Sequence, residues 1–354
     1  MLTYLLSLVV FVLVIGLLVL VHEAGHFFTA KFFKVRVEEF GFGIPPRLFS
    51  RKKGETIYSI NAIPAGGFVK LTGEDEETED PRSFSSKAAW QRGIIVMAGV
   101  VMNFLLTVLI FTTIYTIGGP VSSGKILISA VAPDSPASTA GLKEGDLITA
   151  LNDTKTTEST DIGALVREQA GQEINLRYER GGQSYTVFIT PRVNSPQGQG
   201  PLGVSLMPDT AIKSYPVWEA PVVGTNQAIK YTGLMFDWMR ATLRNLVVKR
   251  EAPEGVGGFI RIGYVTHKAT IAGWQTVLGL VGLLSLNLAI LNALPLPALD
   301  GGRFFFVVIE ALTTRKIPAK IERFIHSAGF ALLLLLIVLV TYNDVIWVWA
   351  NTSL

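Results

Sequence analysis

The sequence predicts an α-helical polytopic membrane protein with four transmembrane helices, a membrane-associated β-rich loop region and one inserted α+β domain. Three observations carry this expectation. Residues 2–21, 93–124, 269–299 and 327–343 are apolar stretches without a charged side chain. Each can cross about 30 Å of hydrocarbon as a helix. Charged residues make up 17% of the 354-residue chain, whereas a soluble domain carries about a quarter. Between the second and third stretches, residues 124–207 instead alternate as short strands punctuated by turn residues, the pattern of a small folded domain.

Taken in order, residues 1–30 form the first transmembrane helix. No basic residue precedes its apolar run, which leads straight into His22, so it reads as a retained span and not as a cleaved leader. Residues 31–92 are a cytoplasmic-side β-rich or re-entrant region, because strand formers alternate with Gly41, Gly43, Pro45, Pro46, Gly54, Gly66 and Gly67. The acidic run 74–80 reads as a solvated loop. Residues 93–118 make the second span. Within 124–207, strands are expected at 126–131, 147–151, 173–178, 184–190 and 202–206, with a short turn or helix opening at Ser135-Pro136 and a helix at 159–169. Residues 211–268 comprise an amphipathic helix at a membrane surface, rich in aromatics and basic residues, then a glycine-rich loop at 254–264. The third span covers 269–302 and the fourth 325–350.

Basic residues orient the chain. The segment 31–92 carries 11 lysines and arginines and 303–323 carries 5, whereas the two ends carry none. Positive loops stay in the cytoplasm, so both termini and the 124–207 domain lie outside. The net charge of +3 therefore reports topology and gives no reason to expect nucleic acid. With no cysteine, disulfides and thiol chemistry are excluded.

The chemistry begins at His22-Glu23-Ala24-Gly25-His26. Two imidazoles four residues apart on a helix share one face, as two ligands of one zinc ion must, with the glutamate between them placed as a general base. A catalytic zinc needs a third protein ligand and keeps a position open. Asp300 is the candidate, lying in Asn292-Ala293-Leu294-Pro295-Leu296-Pro297-Ala298-Leu299-Asp300-Gly301-Gly302. Two prolines break a helix there, and a carboxylate in a broken span implies a polar cavity or an ion. Topology brings His22, His26 and Asp300 to the same, cytoplasmic, side.

The paired motifs in two spans resemble the site-2 protease family of intramembrane zinc metalloproteases, over nearly the whole chain. A domain between the second and third spans is similar to the bacterial regulator-of-sigma-E protease branch. That resemblance implies one Zn2+ per chain held by His22, His26 and Asp300, with Glu23 as base. It also implies substrate binding by Asn292, Pro295 and Pro297, and a β-region that engages unwound substrate. Residues 135–152 resemble bacterial PDZ domains in permuted order, with Leu202, Gly203 and Val204 at the peptide carboxylate-binding loop. Expected partners are single-span membrane proteins such as anti-sigma factors or remnant signal peptides, peptide or protein ligands of the PDZ domain, and the lipid bilayer. The expected place is the bacterial cytoplasmic (inner) membrane. Two departures stand out: Gly255-Val256-Gly257-Gly258-Phe259 replaces a Gly-x-x-Gly-Pro-type motif, and there is room for one PDZ domain where better-known members carry two. The rival readings are a non-catalytic membrane-anchored PDZ scaffold, which leaves Glu23 and Asp300 unexplained, and a metal-ion transporter, which leaves Glu23 and the inserted domain unexplained.

Overall fold

The computed structural model describes residues 2–352 apart from 75, 77, 158–159, 197, 250–256 and 314–316. The chain divides into two compact units, Met1–Thr116 with Pro216–Leu354, and Ile117–Tyr215.

The first unit opens with helix α1 (Leu2–Phe32). Strands β1 (Val37–Lys53) and β2 (Thr56–Leu71) follow, then helix α2 (Ala89–Ile117). The two strands pair more intricately than a hairpin. Phe40 faces both Val69 and Tyr58, and Phe42 faces both Gly67 and Ile60, so the first half of β1 lies between the two halves of β2. The buried Glu39 carboxylate helps lock this fold, accepting from Arg47 and from Ser59, each at 2.6 Å. At the turn, Lys31 and Arg82 each donate to Glu55 at 2.8 Å. The Lys31 hydrogen bond is the main cause of a Glu55 carboxyl held below the usual range. Ala30, Val35, Val37, Leu71, Ile95 and Val96 form the core where α1, the strands and α2 meet.

The second half of this unit departs from the expected division. Helix α5 (Ala220–Arg244) runs into a π-helical turn at Asn245–Lys249. Residues 254–264 were expected to form a loop, yet helix α6 (Phe259–Ala272) starts inside that range; residues 254–256 lie outside those described. The cause is long-range: Asp344, 85 residues away in sequence from Phe259 and 1% exposed, accepts from the Gly258 and Arg261 amides at 2.9 and 3.0 Å. That carboxylate supplies the N-terminal cap that no nearby side chain provides. The uncharged run 269–299 is likewise not one helix. Its first residues finish α6, Gly273 at φ +113° turns the chain, and helix α7 (Trp274–Ala293) follows. Pro295 forbids a helical conformation just before it, and neither Pro295 nor Pro297 can donate to a preceding carbonyl. The chain returns to a helix only at α8 (Asp300–Thr313); α9 (Ala319–Thr352) completes it. Among the described residues, four helical segments, Leu2–Phe32, Ala89–Ile117, Trp274–Ala293 and Lys320–Trp349, are long and apolar enough to cross a membrane.

The second unit is a small α+β domain. Strands β3 (Gly119–Val131), β4 (Leu147–Leu151), β5 (Thr154–Lys155), β6 (Ile174–Arg180), β7 (Gln183–Ile189) and β8 (Val204–Lys213) form one sheet in the order β7-β6-β4-β3-β8, with β5 on β4. Beyond the expected strands, β3 and β8 continue as a ribbon whose far end pairs Gly119 with Lys213. The two short helices have side-chain caps. Ser135 Oγ accepts from Ser138 N ahead of α3 (Pro136–Thr139), and Asp161 Oδ1 accepts from Ala164 N ahead of α4 (Ile162–Glu168). Helix α4 therefore starts later than the expected residue 159, which lies outside the described residues. Ile128, Ile148, Leu151, Ile174 and Leu176 are the heart of its core.

Leu176 is fully buried on β6 between β4 and β7. Leu176→Ala should cost about 3 kcal/mol, the typical loss for a large-to-small change in a packed core. Hydrogen exchange on the full-length protein should show the slowest β4 and β6 amides opening roughly a hundredfold more often. Unchanged protection in 117–215 would contradict this account of the core.

Candidate metal centre

Helical periodicity puts His22 and His26 on one face of α1, and that face is pressed against α2. Contact is possible because both helices carry glycine where they cross. A Cβ on Gly25 would lie 2.5 Å from the Ala98 carbonyl oxygen, and one on Gly99 would lie 2.5 Å from His26 Nε2 and 2.6 Å from His22 Cε1. Small residues allow apolar helices to approach this closely without a hydrophobic drive between them. Here they also let the α2 backbone lie directly beneath two imidazoles.

Asp300 joins them from the other end of the chain, as the first residue of α8 after the proline break. Its Oδ2 lies 3.0 Å from His22 Nε2 and 3.3 Å from His26 Nε2, and the two Nε2 atoms are 3.3 Å apart. Bonds of 2.0–2.1 Å at tetrahedral angles separate the ligand atoms of a zinc ion by about 3.3 Å. The three donors therefore already span one face of such a tetrahedron. Asp300 Oδ2 is buried and, among the described residues, has no hydrogen-bond partner even though it faces both rings. Its lone pairs are left for a further partner. Two nitrogens and one carboxylate oxygen, all within one small buried space, are the donor set of catalytic zinc.

The ring nitrogens facing away from this point are also held. His26 Nδ1 donates to the Ile95 carbonyl at 2.8 Å, which leaves the Nε2 lone pair for a metal. His22 Nδ1 lies 3.2 Å from the Asn103 amide. The amide nitrogen faces the ring; with the amide's oxygen and nitrogen exchanged, His22 too would offer Nε2, and the oxygen as placed has no hydrogen-bond partner among the described residues. The Asn103 carbonyl accepts from Ser285 on α7 at 2.8 Å, so a polar seam runs α1–α2–α7. Asn103 and Ser285 escaped the sequence reading, although an asparagine within an uncharged span is costly enough to be a signal.

Glu23 lies outside the donor trio. It borders β2: a Cβ on Gly67 would be 3.0 Å from Glu23 Cγ and 2.9 Å from Val19 Cγ1. Gly67 of β2 thus lies directly against the glutamate.

The break itself is tightly built. Cβ atoms on Gly301 and Gly302 would each lie 2.2 Å from carbonyl oxygens of Leu294 and Leu296, so the first turn of α8 folds back on the break and tolerates only glycine. Ala298 adopts φ +74°, a left-handed conformation that costs a residue with a Cβ about 1–2 kcal/mol. Pro295 and Pro297 lie in this break, whereas Asn292 is still on α7 with its amide donating to the Leu288 carbonyl at 3.0 Å. A cavity of about 1000 Å³ adjoins the far side of α8. Its walls include the ion pairs Arg92–Glu310 and Arg303–Glu74, neither of which local sequence announces.

The second unit's loop is less open than its sequence suggests. Leu202 is 3% exposed and belongs to the core. Gly203 stands at φ +72°; its amide donates to Gly200 at 3.0 Å and its carbonyl accepts from Ala132 at 2.8 Å. Val204 begins β8, which among the described residues pairs with β3 alone and stands at the end of the sheet.

Known proteins resemble this chain over most of its length. A protein of Clostridium perfringens is 35% identical over 335 residues, covering 93% of this chain and 96% of the relative. The zinc metalloprotease RasP of Geobacillus kaustophilus is 30% identical, covering 96% of this chain and 97% of its own length. The PDZ domain of the SdrC-like protein from Listeria monocytogenes is 22% identical and covers 25% of this chain and 92% of that domain, with a TM-score of 0.22. Residues 10–336 match the pattern of peptidase family M50, from before His22 to beyond Asp300. Matched by the family pattern over most of its length, and by the Clostridium perfringens and Geobacillus kaustophilus proteins over more than nine-tenths of it, the chain belongs to peptidase family M50.

Proposed function

We propose that this chain is a zinc endopeptidase that hydrolyses peptide bonds within the membrane-spanning segments of single-span proteins, such as anti-sigma factors or remnant signal peptides. The observation that carries the reading is the convergence of Asp300, at the start of α8, with His22 and His26 at 3.0–3.3 Å, the two histidines standing on a helix long and apolar enough to span a membrane. Those residues would hold the zinc. Bound there, zinc polarises the scissile carbonyl and acidifies the attacking water.

This chain's residues supply the rest. Glu23, beside the donors yet outside the trio, accepts the proton of the attacking water and returns it to the leaving amine. Asn292, released from Leu288, donates its amide hydrogens to the oxyanion. A transmembrane substrate arrives with its carbonyls tied up in its own helix and must unwind before attack. In apolar surroundings those groups need new partners at once. The half-strand at 66–71, whose Gly67 lies against Glu23, offers them by strand addition, and Pro295 and Pro297 in the break of the chain before Asp300 contribute to substrate binding.

The four apolar helices cross a bacterial cytoplasmic membrane, with both termini and residues 124–207 outside and the zinc near the cytoplasmic face. The inserted unit is a PDZ domain whose free β8 edge and 202–204 loop take a peptide. A peptide carboxylate there competes with Gly200 for the Gly203 amide. The domain filters substrates and takes no part in the chemistry.

Two variants separate the roles at the centre. Glu23→Gln should abolish cleavage of a membrane-segment substrate while metal analysis still finds close to one zinc per chain. Asp300→Ala should lose zinc as well, by at least tenfold in affinity. Full zinc occupancy without Asp300, or turnover without the Glu23 carboxylate, contradicts the assignment.

The filter can be removed cleanly, because Gly119 and Lys213 are paired across the ribbon and a short flexible linker can join their neighbours. A protein so shortened should still cut a substrate lacking an outer domain, and should begin to cut substrates with bulky outer domains that the intact protein rejects. Loss of all cleavage in a folded, zinc-loaded protein would make the domain part of the catalytic architecture instead.

A further inference from the structure

The Asp300 carboxylate is delivered by a stretch of chain with little regular structure of its own. Between the end of α7 at Ala293 and the start of α8, Pro295 and Pro297 donate no backbone hydrogen bond. Ala298 holds φ +74°, where a side chain is strained. Helix α9 meets the break at this place through two residues. His326 Nδ1 accepts the Ala298 N–H at 3.0 Å. Three residues on, Gly329 lies so close to Pro297 that a Cβ would fall 2.2 Å from the proline Cβ. Residues three apart share a helix face, so the two contacts grip adjacent points of the break. His326 is itself oriented, with its ring 5.6 Å from that of Phe306 and its Nε2 4.0 Å from Glu322 Oε1, one turn earlier on α9. Acceptance at Nδ1 places the ring proton on Nε2, on the Glu322 side.

We infer that His326 is a positioning residue for the metal ligand Asp300. By accepting the Ala298 N–H, it holds the chain two residues upstream in the conformation that aims the carboxylate at His22 and His26. The inference rests on the zinc reading above. It gives a function to a histidine outside both sequence motifs, and it makes α9 a part of the metal site without contributing a ligand.

The test is the Zn2+ affinity of the full-length protein in detergent, measured by competition with a chromogenic chelator, alongside cleavage of a membrane-segment peptide. His326→Leu keeps the bulk and removes the acceptor; it should weaken zinc binding by about tenfold or more, as loss of outer support does. His326→Asn, whose Oδ1 takes the place of Nδ1, should bind close to the unaltered protein. Adding Ala298→Gly to His326→Leu should restore most of the loss, because glycine adopts positive φ without a steric penalty. A role in packing alone predicts equal losses for leucine and asparagine and no restoration by the glycine. Those results, or undiminished zinc affinity in His326→Leu, overturn the inference. Should His326→Leu fail to fold by circular dichroism, the asparagine variant and the double variant still decide it in the same way. Failure of the zinc reading would look different, since the unaltered chain would then bind no Zn2+.

Discussion

Two imidazoles and a carboxylate drawn to within 3.0–3.3 Å of one another govern how the rest of this unit is built. In apolar surroundings each such group is costly unless paired, hydrogen-bonded or bound to an ion. Most of the neighbouring features serve that demand. Glycine at positions 25 and 99 brings α2 close enough for Ile95 and Asn103 to hold the outer ring nitrogens. Prolines stop α7 early so that a carboxylate can enter from the end of a broken helix. Gly301 and Gly302 fold the new helix back onto the break.

The same constraint explains why an irregular β-structure sits beside an apolar helix. Backbone groups outside a helix need partners where water is scarce. Strand β1 answers by pairing with β2 twice over, and the residual edge at 66–71 lies next to Glu23. An edge strand is normally a liability to be covered.

What could be read from the sequence depended on how local its cause was. The candidates His22, His26 and Asp300 could be singled out because helix spacing and a proline-bounded aspartate are local patterns, and the structure brings the three side chains within 3.0–3.3 Å of one another. The strands of the inserted unit, and the turn or helix opening at Ser135-Pro136, were legible in the same way, whereas the Asp161 cap that starts α4 was not. Helix α6 was missed because its cap, Asp344, comes from a distant helix. The extent of β3 and β8 was missed because a ribbon outside the core has no burial pattern to announce it. Asn103, the Arg303–Glu74 pair and the contact of His326 with the break depend on pairings between elements, which no window of sequence contains.

X-ray absorption at the zinc edge of the purified, zinc-loaded protein tests the central claim most directly. The account predicts a single zinc with only nitrogen and oxygen neighbours at about 2.0–2.1 Å and outer-shell scattering from two imidazoles. The chain has four histidines, so a signal from three or more would mean that His267 or His326 is recruited. That result, or a zinc without imidazole scattering, would contradict the site built from His22, His26 and Asp300.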